Sequence, residues 1–136
     1  MLDFPAPQLL VYSIESAIAE KYEAIVSLQL ETSRMKDFYD IVFFAEKYKF
    51  NKELLKQAIL TTFSNRSTDI ASRNKIYEES FRNDSQKQIQ WSAFLERNKL
   101  LAENKFSVVI EKLKSFIEPI FEDDKLTWNP EKFLWE

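Results

Sequence analysis

Residues 106–120 read FSVVIEKLKSFIEPI, and that stretch decides the fold. Phe106, Val109, Ile110, Leu113, Phe116, Ile117 and Ile120 recur every three or four positions, which lines apolar side chains along one face of an α-helix. Pro119 disrupts the helix, because proline lacks an amide donor and clashes with the preceding turn. The same helical grammar extends backwards. From Gln8 to Glu118 the chain has neither Pro nor Gly, the two strongest helix breakers, and the four prolines (5, 7, 119 and 130) all lie near the ends.

The other elements follow from caps and periodicity. Leu9 to Tyr12 is short, apolar and β-prone, the one candidate edge strand, within an extended segment 1–12. Ser13 is a plausible cap for a helix to about Gln29, with Ile14, Ile18, Tyr22 and Ile25 on one face. Thr32 or Ser33 caps a second helix to about Tyr48, and Asn51 a third to about Ser64 with a stripe of Leu55, Ala58, Ile59, Thr62 and Phe63. Asn65 to Asn74 is polar and reads as a loop. Ser85 with Gln88 three residues on reads as a capping box for a helix to about Lys99 that carries Trp91, Phe94 and Leu95. The expected architecture is all-α: one domain of about five helices over 13–121, closed by an extended tail, 122–136, that holds Trp128 and Trp135.

Composition excludes several chemistries. The 136 residues hold no Cys, no His and no Gly, with 19 basic against 22 acidic side chains for a net charge of −3. There is then no thiolate metal site, no His-dependent triad and no Gly-rich phosphate loop. A mildly acidic chain is not a general polyanion binder on charge alone. Met1 to Pro5 has no basic signal-peptide start, and no run approaches the roughly 20 apolar residues of a membrane span. The expectation is a cytoplasmic protein without a membrane partner.

The second helix is unusual. Phe38, Tyr39, Ile41, Val42, Phe43, Phe44 and Ala45 leave it almost no polar face, yet Asp37 and Asp40 sit one turn apart on one side. A carboxylate among such neighbours needs a cation, a metal or several donors. Lys36, four residues before Asp40, is one candidate partner, and Lys21 in the first helix is the other. The plainer readings are a surface Lys21 beside Glu20 and Glu23, an Asp37 that merely favours a helix N-terminus, and a solvated Lys36–Asp40 pair. Arg66 and Arg73 in the polar stretch are candidate phosphate contacts, and the aromatic residues read as core rather than as a base-stacking platform.

Ala19-Glu20-Lys21-Tyr22-Glu23-Ala24-Ile25 followed by Arg34-Met35-Lys36-Asp37-Phe38-Tyr39-Asp40 resembles the back half of the AbiEii/AbiGii-type nucleotidyltransferases. Those proteins carry an A-E-K-L-x-A-L helix and then an R-x-K-D-x-x-D helix. Here Tyr22 replaces the usual Leu, whereas the second pattern matches at every fixed position. Thr62-Phe63 with Arg66, and Trp91 with Phe94-Leu95, agree more loosely. The resemblance spans roughly residues 9 to 118 and implies nucleotidyl transfer from a nucleoside triphosphate, as the toxin of a toxin–antitoxin or abortive-infection pair, with a tRNA end as one acceptor. It implies catalytic roles for Lys21, Asp37 and Asp40, with Lys36 and Arg66 as substrate phosphate contacts.

One departure matters. The catalytic front half of that family should hold a Gly-containing turn and a D-x-D pair for magnesium, and this sequence has neither. The expectation is therefore the C-terminal helical part only: a truncated gene, a decayed copy or an excised piece. Magnesium and a nucleoside triphosphate belong to the complete protein, with neither bound productively by this chain alone. An antitoxin, the missing catalytic half, a tRNA acceptor and self-association through uncovered apolar surface are the expected partners. The alternative is a stand-alone, non-enzymatic helical interaction module.

Overall fold

The computed structural model describes residues 13–122 and 124–136, so the candidate strand at Leu9 to Tyr12 and the segment 1–12 lie outside the described residues. Six α-helices are described: α1 (Ile14–Leu28), α2 (Met35–Lys47), α3 (Lys52–Asn65), α4 (Glu79–Arg82), α5 (Ser85–Asn98) and α6 (Phe106–Ile117). Short 3-10 turns cover Gln29–Glu31, Ile70–Tyr77 and Glu118–Phe121. None of the described helices is long and apolar enough to cross a membrane. The fold is mostly α, as the periodicity requires.

α1 packs chiefly against α3 and α2, and α6 closes the other side of α2. Ile18, Tyr22 and Ile25 are fully buried, as are Leu55 and Ile59 of α3, and Val109, Ile110, Leu113, Phe116 and Ile117 of α6 are almost so. Phe38 of α2 stands at the centre, with its ring 5.1 Å from Phe106 and 6.3 Å from Phe81. α2 is less enclosed than its sequence predicts: Phe43, Glu46 and Lys47 are exposed on one edge.

Caps set the boundaries. Ser13 accepts from Ser16 N–H and Asn51 from Leu54 N–H, as their positions imply. α2 differs: Thr32 Oγ1 takes the Arg34 amide instead, so the helix begins one turn's fraction later with Arg34 as a bare cap. At α5 the neighbouring Asp84 takes the capping role from Ser85 by accepting from Lys87 N–H. Gln88 is thereby released from a capping box, and its Oε1 receives the Phe106 amide, capping α6 from the neighbouring helix. The polar stretch after Arg66 is not all loop, because Asp69 accepts from Ala71 N–H and starts the 3-10 turn Ile70–Tyr77.

The tail returns to the body as a hairpin. β2 (Thr127–Asn129) pairs antiparallel with both β1 (Phe50–Asn51) and β3 (Leu134–Trp135). Indole N–H groups fasten it: Trp128 donates to Ala45 O at 2.7 Å and Trp135 to Phe116 O at 2.8 Å. With no glycine available, Gln29, Ser67, Lys99 and Phe133 adopt left-handed φ angles at the turns. That conformation is strained for residues bearing a Cβ.

Candidate functional site

α1 and α2 cross so that Lys21 faces the start of α2. Lys21 Nζ lies 2.9 Å from Asp40 Oδ2 and 3.7 Å from Asp37 Oδ1. Lys36 Nζ reaches the same Asp40 oxygen at 2.7 Å, the contact expected one helical turn apart. Arg34 Nε stands 2.8 Å from Asp37 Oδ2. The four sequence-predicted residues of the two motifs therefore share one ionic cluster, and Arg34 joins it.

The two carboxylates differ in environment. Asp37 is almost wholly buried, and its Oδ2 accepts no hydrogen bond. Burial pushes its carboxyl above the ordinary value, against the opposing charges of Arg34 and Lys21, with Asp40 adding to the rise. Asp40 is wetter and is held by two ammonium groups rather than one.

Arg66 arrives from the end of α3. Its guanidinium meets Glu23 at 3.1 Å and Glu20 at 3.8 Å, and Thr68 Oγ1 donates to the second Glu23 oxygen at 2.6 Å. Glu23 is 5% exposed, so this pairing pins the end of α3 to α1. Half of the Arg66 side chain still faces outward.

Between these groups lies a cavity of about 270 Å³, lined by Ala17, Glu20, Lys21, Ala24, Arg34 and Arg66. Ala17 and Ala24 sit one turn on either side of Lys21, and their methyl groups leave the space open. Its wall carries three cations and one carboxylate, and each cation is also paired with an acid: Lys21 with Asp37 and Asp40, Arg34 with Asp37, and Arg66 with Glu20 and Glu23. Arg73 is different. It bonds Glu118 Oε2 at 3.0 Å and stacks 4.3 Å from the Phe121 ring, so its role is in the fold. Of the aromatic residues, Phe38, Trp91 and Phe94 are buried in the core, whereas Tyr39 and Phe44 are half-buried and Phe43 is exposed.

Sequence reasoning overlooked Arg34 and Glu23 as members of the site. The signal for Arg34 was present as the first fixed letter of its motif. Glu23 carries no local signal, because its importance depends on the packing of α1 against α3.

Residues 1–119 match the family described as nucleotidyl transferase AbiEii toxin, type IV toxin–antitoxin system. The chain belongs to that family. No curated protein and no solved structure gives a significant match.

Nucleotidyl transfer in such a family implies magnesium, and the donor set can be tested against it. Among the described residues no group of three acidic, His or Cys side chains could hold a metal ion. Asp37 and Asp40, the nearest carboxylates, already face ammonium and guanidinium groups, and Asp37 is buried. A hard dication needs several free oxygens around it. The residues described do not fit magnesium.

Proposed function

We propose that this chain supplies the phosphate-holding helix pair of an AbiEii-type nucleotidyltransferase and does not transfer nucleotide by itself. The observation that carries this reading is the convergence of Lys21, Arg34 and Arg66 on one small cavity, with Asp40 beneath Lys21. Cations set around a triphosphate offset its charge and fix its geometry, which is most of what a protein contributes to such transfers.

The roles divide by geometry. Lys21 is a compact point charge for a phosphate oxygen, and Arg34 and Arg66 present planar forks that grip two oxygens at once. Asp37 and Asp40 act as positioning residues, because their oxygens are engaged by cations rather than turned to an acceptor hydroxyl. Lys36 shares Asp40 with Lys21 and tunes how firmly Lys21 is held. The cavity is smaller than the roughly 300–1,000 Å³ of whole-ligand pockets, so it suits a phosphate chain, with base and sugar outside it. The carboxylates that bind magnesium come from a separate catalytic segment, and an antitoxin is the regulatory partner. The acceptor hydroxyl is that of a tRNA end.

Calorimetric titration of a nucleoside triphosphate into the purified chain tests the reading. Binding is expected, weakened at least tenfold by Lys21→Ala and by Arg66→Ala, and unchanged by Lys132→Ala on the distant hairpin. Equal binding by the Lys21 and parent proteins would remove the cavity from function, and absence of any binding would favour the interaction-module alternative. Incorporation of labelled nucleotide by the chain alone, with magnesium, would overturn the division of labour.

A further inference from the structure

Arg34 faces two spaces. One is the cavity beside Lys21. The other is a cleft of about 390 Å³ between the start of α2 and the second half of α5, lined by Arg34, Lys36 and Arg97 with Gln90 and Phe94. No carboxylate lines that cleft. Three cations line it, of which Arg34 and Lys36 are balanced from behind by Asp37 and Asp40.

Arg34 and Lys36 reach the cleft while paired with Asp37 and Asp40, and the other polar groups there are less committed. Arg97 is exposed and has no ion-pair partner among the described residues. Gln90 is oriented from below: the buried Lys87 ammonium donates to its Oε1 at 3.0 Å. That leaves the Gln90 Nε2 donors without a protein acceptor among the described residues. Burial lowers the Lys87 pKa, with Asp84 opposing, and the Gln90 carbonyl is the acceptor that its ammonium has found. Phe94, 8% exposed, supplies an apolar floor; it stacks on Trp91 with ring centroids 5.7 Å apart and meets Tyr39 at a tilt, 5.9 Å away.

We propose that this cleft binds the phosphodiester backbone of a single-stranded polynucleotide, placing the acceptor strand across Arg34 from the triphosphate. The inference rests on the nucleotidyltransferase reading and adds where its acceptor lies and which residues grip it. An unpaired Arg97, two cations shared with aspartates and a free amide fit a run of phosphates, whereas a neutral acceptor side chain of a protein would not call for them. An apolar aromatic floor suits the sugar and base edges of that strand. Arg34, shared by both spaces, would couple occupancy of one to occupancy of the other.

Fluorescence anisotropy with a labelled 20-nucleotide single-stranded RNA of mixed sequence tests this, alongside triphosphate titration on the same samples. Arg97→Gln is expected to weaken RNA about fivefold at low salt. It should also flatten the log–log salt dependence by about 0.7, the release expected for one single-strand phosphate contact. Triphosphate affinity should not move. Arg97→Glu should weaken RNA further still, and because Arg97 is exposed both variants should keep the parent helical circular dichroism. If Arg97→Gln lowers triphosphate and RNA affinity equally, the cleft belongs to the nucleotide and the proposal falls. It also falls if RNA affinity is unchanged, or if the parent chain binds triphosphate but no RNA, an outcome that leaves the cavity reading standing. RNA binding that depends on Arg97 without any triphosphate binding would instead sink the cavity reading alone.

Discussion

Lys21 and Tyr22 are neighbours in the sequence, yet α1 sends them into two polar clusters of opposite character. Behind Tyr22 the groups close on one another. Its hydroxyl meets that of Tyr77 at 2.6 Å, Tyr77 hydrogen-bonds Glu118, and Glu118 is held by Arg73. Burial lifts both phenols above their ordinary pKa, so they stay neutral donors and acceptors. Ahead of Lys21 the groups converge but do not close, since its ammonium, Arg34 and half of Arg66 still border a cavity. A polar network that satisfies itself holds a fold together, while one with donors left over is available to a ligand.

The sharpest way to break this contrast is Glu118→Ala. It strips Arg73 of its carboxylate where both side chains are mostly buried, at 16% and 11% exposure. Removing one partner of such a pair leaves an uncompensated charge and should cost about 3 kcal/mol in urea unfolding. Triphosphate affinity per folded molecule should hardly change, because nothing in this cluster borders the cavity. A variant of parent stability that had lost triphosphate binding would reverse the assignment of the two clusters.

Asp37→Asn sharpens the comparison from the open side. Asp37 is buried like the groups behind Tyr22, and its folded-state pKa lies above its unfolded value. The folded protein then holds the extra proton, so stability falls as pH rises from the unfolded carboxylate range through the raised folded pKa. Asparagine removes that slope. Relative to the parent, Asp37→Asn should gain stability across that window and show no gain below it, by urea unfolding at a series of pH values. A variant less stable than the parent at neutral pH would mean that Arg34 and Lys21 outweigh burial.

How much of this was legible beforehand follows the same division between local and distant causes. α6 declared itself because seven apolar residues keep helical spacing within one segment, and Lys36–Asp40 because both sit on one helix. The hairpin did not. Trp128 pairs with Phe50 and Trp135 with Trp128, so its strands exist only once a distant segment has been packed beside them. Two or three residues per strand are too few for a period to show. The convergence of Lys21 with Asp37 and Asp40 was readable through motif spacing. The grip of Glu23 on Arg66 and Thr68, and the acid-free cleft beside Arg97, depend on how α1 meets α3 and α2 meets α5, which no single stretch encodes. The sequence pointed to Ser85 as the cap of α5, whereas the adjacent Asp84 accepts the Lys87 amide and Gln88 turns to α6.

The smallest expected effect is also the most diagnostic of how Lys21 is held. Lys36 is exposed over most of its length, and its pair with Asp40 is an i,i+4 contact on a helix surface. Such a pair is worth about 0.3–0.5 kcal/mol, so Lys36→Ala should scarcely move the unfolding midpoint. Its influence on the site should run through Asp40 rather than through a simple loss of charge. With Lys36 gone, the Asp40 oxygen it shared belongs to Lys21 alone, and Lys21 is drawn more firmly towards α2 and away from the cavity. Triphosphate binding should weaken about two- to threefold in Lys36→Ala, and removing the shared carboxylate as well, in the Lys36→Ala/Asp40→Asn double variant, should restore part of it. A double-mutant cycle read by calorimetry carries the test. Purely additive losses would mean that Lys36 acts on the ligand directly and that Asp40 does not govern where Lys21 points.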